Sequence, residues 1–540
     1  FQPKGFVIVS ADTLYHPIIA FSWRTNFDLP IPESAIKMWM QNQKDQINKV
    51  KSKNLVTPRV KNEWEMYFSS DVNTLKNKQQ RIVTPLLSTQ WNQSVYYNEL
   101  CPKDAAGPDG KTLAGCVATA IGQLMNYYRY PLTGTGSYTS QYTTYGTQTV
   151  NFGQANYKWS EMGTKLTRSN LAIAELLYHI GVSVDMHYGP NGSGMWNHKA
   201  AHTMKTYFGY VNETEYMFRD TVTANWYGII IDHIDRGEPL YYAGWTDNQY
   251  VSGHAFVADG YQDSIFFHFN WGWGGSFDGY FNIDNLIVGG SDFTTMHEAV
   301  VNMFPASNYP YYCTGTQILN SLDGLIDDGS GPLFDYANNQ NCSWLIAPFD
   351  TISSIVLDFL KFSLKPNDLL KVYKGQDNNG QLLATYSSTN PPPTSLTVIG
   401  SKVYLNFTSD ANDVDKGFLI SYKANQVKTC SGLKTITAPS GEITDGSGIY
   451  NYQNTNNCRW RLEVPNAVLY SINFTEFDID STDFVRIQNI NDGSIVATLR
   501  GNQIPEPIFV YSDKVLISFV SGQTENDKGF KLQYNTYFQN

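Results

Sequence analysis

The sequence predicts a multidomain chain in which an α+β first half is followed by two antiparallel β-sandwiches. Three observations carry this. At 540 residues the chain is longer than one hydrophobic core can serve. Its second half repeats itself, and its first half mixes helical periodicity with alternating strands and holds all nine histidines, the last being His297.

The repeat appears when CTGTQ, DDGSG, NQNCSW and DKGFLISY are laid over CSGLK, TDGSG, TNNCRW and DKGFKLQY, an offset of about 112 to 117 residues. Within each copy, alternating segments such as KVYLNFTS and KVLISFVS lie between clusters of Asn, Asp, Gly and Pro, the pattern of strands joined by turns. The sandwiches are assigned to 309–425 and 426–540, with junctions at 309–312 and 425–429. Four of the six cysteines form two similarly spaced pairs. Equal spacing in equal domains implies bridges Cys313–Cys342 and Cys430–Cys458, hence an oxidising, extracytoplasmic setting, while Cys101 and Cys116 stay reduced.

Composition narrows the function. Thirty-eight Lys+Arg against 49 Asp+Glu give a net charge of −11, with no dense basic run, which disfavours nucleic acid as a partner. No apolar stretch approaches the roughly 20 residues of a membrane helix, and the start of the chain lacks the pattern of a signal peptide. A secreted or extracellular protein, free or associated with a cell surface, is expected, with no cofactor required.

In the first half, 33–54 has helical periodicity and a charged outer face, and the polar, basic stretch 70–81 reads as a cleavable linker. The domain boundaries expected are 1–83 and 84–308. After the Gly-rich loop ending at Gly115, the run CVATAIGQLMNYY has small and apolar residues at helical spacing. Cys116 is therefore placed at a helix N-terminus, where free N–H groups stabilise a thiolate and can donate to an oxyanion. The bland reading is a small buried residue in a packed helix. His254, in VSGHAFVADGY, lies on a strand leading to a turn, and FFHFNWGWGG returns as a second strand and loop. Such a hairpin is expected to bring Asn270 and Trp271 beside His254, Asn270 holding the second ring nitrogen and Trp271 shielding that bond. His198 and His202 stand four apart in MWNHKAAH, but no Glu follows the first as in HExxH, so a structural pair is favoured over a metal site.

Together, GCVATAxxQxMxYxxYP, GHAFVxDGY and HxNWGWGG resemble the streptopain family of cysteine peptidases, and the resemblance runs over roughly residues 5–305. It implies an α+β papain-like catalytic domain preceded by an α+β propeptide that blocks the cleft until removed. GFVIVSADTLYHPIIAFSW resembles that propeptide, whose earliest strands are expected to be missing or trimmed here. It implies Cys116 as nucleophile, His254 as general base, Gln93 as oxyanion donor, Asn270 and Trp271 as supports of His254, and Ser193 and Gly194 near the substrate. Gln93 as a surface amide, and Ser193 and Gly194 as loop residues only, stay open. Proteins or peptides are the implied substrates, with an apolar residue one position before the scissile residue.

The repeats resemble CUB domains, each with an opening Cys-x-Gly, a Cys-x-Trp (Cys342 and Trp344; Cys458 and Trp460) and a late Gly-Phe (Gly417, Phe418; Gly529, Phe530), but without that family's second cysteine pair. A protein or carbohydrate ligand is implied for them. Tight calcium binding is not expected, because Lys365 replaces the first carboxylate beside Asp368 and Asp410, and Gly522 replaces the third beside Asp480 and Asp483. Two other functions are open: an adhesin with a decayed peptidase domain, or a transamidase that passes the same acyl-enzyme to an amine.

Overall fold

The computed structural model describes residues 5–15, 17–22, 47–48, 51–52, 58–68, 82–288, 291–306, 308–427, 429–522 and 526–539. Most of the expected helix 33–54 and all of the linker 70–81 lie outside the described residues; 47–48 and 51–52 are helical.

In chain order the first half contains β1 (Phe6–Val9), β2 (Ile18–Ser22), α1 (Pro58–Phe68), β3 (Ile82–Val83), α2 (Cys116–Tyr128), β4 (Ser137–Thr139), β5 (Thr149–Asn151), α3 (Leu171–Ser183), α4 (His198–Tyr207), β6 (Glu215–Phe218) and α5 (Trp226–Asp235). It continues with β7 (Leu240–Trp245), β8 (Gly253–Gln262), β9 (Phe266–Asn270), β10 (Gly279–Asn282), β11 (Ile287–Val288), β12 (Ser291–Asp292) and β13 (Thr295–Val301).

Two lobes result. Helices α2, α3 and α4 close one core around residues such as Trp91, Ile121, Leu124, Ile180 and Met204. The other lobe is a sheet of order β1-β2-β10-β9-β8-β7-β13-β6, with β3 paired to β8. Strand β8 is buried from His254 to Tyr261 because α2 covers one face of the sheet while α5 lies against the other, so its sequence is apolar rather than alternating. This is the expected α+β papain-like plan.

The hairpin β1–β2 extends that sheet at β10, pairing Phe21 with Tyr280 and Ala20 with Phe281. Phe21 and Tyr280 stack with ring centroids 4.8 Å apart. The described part of the N-terminal segment thus adds strands to the catalytic sheet, and burial of Phe21, Phe266 and Tyr280 holds it there.

Each C-terminal repeat is a sandwich of a five-stranded and a four-stranded sheet with the same strand order in both copies. All pairings are antiparallel except at one edge, where Gly315–Leu319 runs parallel to Asn341–Ile346, and Gly432–Ile436 to Asn457–Glu463. In each case a disulfide sits at the start of the parallel pair: Cys313–Cys342 with S–S 2.04 Å and Cys430–Cys458 with S–S 2.02 Å. The first sandwich also touches the catalytic domain, where Arg129 at the end of α2 pairs with Asp327 at 2.5 Å and Ser160 donates to Gln317 at 3.1 Å.

Candidate active site

Helix α2 begins at Cys116 because Gly115 turns the chain with φ 93°. A side chain at 115 would be strained by that φ, and its Cβ would lie 2.9 Å from the Met186 sulfur and 3.1 Å from the Ser193 carbonyl. No side chain caps the helix, so its first N–H groups stay available at the thiol. The Cys116 thiol is half-buried; burial pushes its pKa up, opposed by N–H groups of Ala255, Val117 and Cys116 itself.

A cleft of about 400 Å³ lies between the lobes, and Cys116 and His254 both line it, with Ser193, Gly194, Asn197 and Trp245 among the other wall residues. His254 is buried on β8, its Nε2 2.8 Å from the carbonyl oxygen of Trp271. A carbonyl only accepts, so Nε2 carries the hydrogen and Nδ1 keeps the lone pair that a general base needs. Burial pushes the imidazole pKa down to about 4, against the opposing pull of that carbonyl.

The supports of His254 differ from the expected ones. Asn270 makes no hydrogen bond to His254: its Nδ2 donates to Thr89 O at 2.7 Å, and its Oδ1 accepts from Gln123 Nε2 at 3.0 Å and from Gly272 N at 3.1 Å. The reason is register. Asn270 pairs with Val257, so three residues back from Val257 to His254 correspond to three forward, at Trp273. Trp273 is indeed the ring against the imidazole, stacked at 4.6 Å and 26°. The Trp271 indole is fully buried with its centroid 6.2 Å from the imidazole, so Trp271 contributes its carbonyl rather than the direct shield. The Trp271 backbone N–H donates to Asp278 at 2.9 Å, and the N–H on the carbonyl's own peptide, that of Gly272, donates to Asn270 Oδ1 at 3.1 Å.

Gln93 is half-buried and its carbonyl accepts from Ala114 N at 2.9 Å, which ties its loop to the one carrying Cys116; its side chain is not among those lining the cleft. Ser193 Oγ is committed to the loop, donating to Leu113 O at 2.7 Å and accepting from Gly189 N at 3.0 Å. Its neighbour Gly194 faces open space, with nothing within 4 Å of where a Cβ would stand. His198 meets Tyr216 and His202 meets Tyr207, each edge-on, and among the described residues no three His, Cys, Asp or Glu side chains form a metal-sized group. Of the two free cysteines, Cys101 is buried and its thiol is pushed up to about 12 by that burial, whereas Cys116 lines the cleft.

Sequence reasoning missed Gln123, Thr89, Trp273 and Asp278. Gln123 was within reach of it, because it lies seven residues after Cys116 on the same helix face, and a buried amide there requires partners.

A thiol at an uncapped helix start and a tautomer-locked imidazole in one inter-lobe cleft define a cysteine endopeptidase of the papain-like type. The comparisons with known proteins sharpen this. Residues 91–281 match the peptidase C10 family, residues 2–47 the Spi protease inhibitor family, and residues 313–422 and 430–534 the CUB domain. Streptopain of Streptococcus pyogenes is 31% identical over 331 residues, covering 56% of this chain and 78% of streptopain. The thiol protease/hemagglutinin PrtT of Porphyromonas gingivalis is 28% identical over 325 residues, but the chain spans only 36% of PrtT's length. Among solved structures, a prointerpain A fragment from Prevotella intermedia aligns with TM-score 0.45 and 31% identity, over 56% of this chain and 94% of that one. The chain belongs to the peptidase C10 family, that of streptopain.

Proposed function

We propose that the protein is a secreted cysteine endopeptidase, made as a zymogen, that hydrolyses peptide bonds through a thioester on Cys116, with its CUB domains binding substrate or a surface. The observation that carries this reading is the common cleft of Cys116 and His254, with Nδ1 of His254 left free by the Trp271 carbonyl.

Burial disfavours a lone thiolate and a lone imidazolium, but a proton passed from Sγ to Nδ1 creates both charges together, each stabilising the other. The thiolate attacks the scissile carbonyl. The developing oxyanion accepts from the Cys116 backbone N–H. The imidazolium then protonates the leaving amine, and His254 activates water to hydrolyse the thioester. The apolar walls Met195, Trp196, Trp245, Tyr250 and Val251 support a preference for an apolar substrate side chain. No described residue of the N-terminal segment lines the cleft.

The test is Cys116→Ala on the activated protein with casein as substrate, together with mass mapping of a thiol-directed covalent inhibitor. Loss of cleavage by a folded variant and label on Cys116 support the reading. Residual cleavage by that variant, or label confined to Cys101, refutes it.

A further inference from the structure

Glu298 lies on β13 and is only 4% exposed, yet among the described residues it has no ionic partner: the groups acting on its carboxylate are three hydrogen-bond donors and no cation. An uncompensated buried carboxylate is costly and persists where its hydrogen bonds hold something in place. Its Oε1 accepts from Trp245 Nε1 at 3.1 Å, its Oε2 accepts from Asn197 Nδ2, and Tyr216 also hydrogen-bonds to it. Tyr241 OH in turn donates to Asn197 Oδ1, so every donor in the network points toward Glu298.

Two of these partners are walls of the cleft that holds Cys116 and His254. Asn197 stands before α4, in the helical lobe. An asparagine there ordinarily caps the helix, but this one makes no capping bond and spends its amide on Glu298 and Tyr241. Trp245 ends β7 in the sheet lobe, opposite Gly253 and one residue from the pair Gly244–His254. Its ring lies so close over Gly253 that a Cβ there would stand 2.6 Å from it, and it meets Tyr250 edge-on at 4.9 Å. One carboxylate therefore ties the helical wall and the sheet wall of the cleft together.

We propose that Glu298 is a positioning residue that sets the width and shape of the substrate cleft by holding Asn197 and Trp245 at once. This rests on reading that cleft as the active site. The hydrogen bonds of Glu298 go to Trp245, Asn197 and Tyr216 rather than to Cys116 or His254, so its loss should act on substrate binding more than on chemistry.

The experiment compares Glu298→Ala and Glu298→Gln with the parent in the activated full-length protein. It measures kcat and KM on a peptide long enough to fill the cleft, and separately the rate of Cys116 alkylation by iodoacetamide, which needs no cleft wall. Glu298→Ala is expected to raise KM about tenfold or more, the loss of charged hydrogen bonds to two walls, with kcat and the alkylation rate within about threefold of the parent. Glu298→Gln keeps the volume and one acceptor oxygen, so its KM should fall between the two; it also serves as the readout if the alanine variant does not fold. A parent KM in Glu298→Gln, a fall in kcat at constant KM, or an alkylation rate that falls in step with kcat/KM would each overturn the proposal. Should Cys116→Ala retain activity, the active-site reading itself fails and this inference with it, a result distinct from the other three.

Discussion

Replacing Asn270 with alanine separates two accounts of that residue. If Asn270 oriented the imidazole, the variant would fold normally and lose catalysis. The structure makes it a node of the fold instead: its amide, 3% exposed, satisfies Thr89 O, Gln123 Nε2 and Gly272 N. Removing it orphans three groups, of which the Gln123 amide is fully buried. Each orphan costs about 1–3 kcal/mol, so the loss is of order 3–9 kcal/mol before any water enters the gap. That is comparable to the roughly 5–15 kcal/mol that stabilises a typical domain. Thermal unfolding of the catalytic domain, followed by tryptophan fluorescence, should drop by roughly 6 °C or more. The fraction still folded should lose well under a hundredfold in kcat/KM, because the Trp271 carbonyl can still accept from His254 although the N–H of its peptide, that of Gly272, has lost its acceptor. An unchanged unfolding midpoint with kcat/KM lowered a hundredfold would refute this reasoning.

Activation should cut before Ile82, because β3 pairs Ile82 with Gln262 and Val83 with Tyr261 and so belongs to the mature sheet; an N-terminal sequence of the active form beginning within 70–82, after Lys76, Lys78 or Arg81, is expected, and one beginning well inside the catalytic motifs would contradict it. His179 has its pKa pushed down to about 4 by burial. Its unfolded value is near 6.5, so the unfolded state binds a proton first and stability is lost as pH falls from 6.5 to 4, by roughly 3 kcal/mol; His179→Gln should lose correspondingly less over that window in pH-dependent denaturation. Reducing the two bridges, which close loops of sequence separation 29 and 28, should destabilise each sandwich by about 3.5 kcal/mol while leaving the Cys116 thiol free, readable as a lowered unfolding transition in dithiothreitol. Titration calorimetry of the intact protein should detect no micromolar calcium site, since Asp368 is taken by Tyr336 and the Asp410 N–H, Lys365 lies 3.6 Å from Asp415, and Asp483 is taken by Tyr452 and the Gly522 N–H; stoichiometric micromolar binding would show that neighbouring acids compensate.

Much of the fold was legible because repetition and periodicity report burial directly. Two copies of one pattern force two copies of one sandwich, and a helix of small apolar residues such as α2 announces that it is buried. Less visible were features that depend on pairing between distant segments. Nothing in the sequence of Gly315–Leu319 distinguishes a parallel edge strand from an antiparallel one, because the alternation of side chains is the same for both. Likewise β1 and β2 read as strands of a separate N-terminal unit, whereas they continue the catalytic sheet, since the choice of partner edge is made by tertiary contacts such as Phe21 on Tyr280.

The site divides along a similar line. Cys116 and His254 were legible because their chemistry requires those side chains, and a sequence lists side chains. What holds His254 is a backbone carbonyl, which every residue possesses, so no residue type at 271 could have announced it. Assigning that job to Asn270 instead followed from the side chain's competence, and the register then decides against it. Between β8 and β9 the pairing runs Gln262 with Phe266 and Tyr261 with Phe267, then slips by one residue at the irregularity between Ala258 and Gly260, which brings Asn270 opposite Val257. Without that slip Asn270 would face Ala258, a residue farther still from His254, and the side chain would emerge on the other face relative to its partner strand. The bulge therefore places the segment beyond Asn270 beside the imidazole, where the peptide of Trp271 presents its oxygen and Trp273 its ring. A motif such as NWGWGG is consequently a constraint on backbone path, its glycines at 272, 274 and 275 all having positive φ. Its tryptophans act through where that path delivers them.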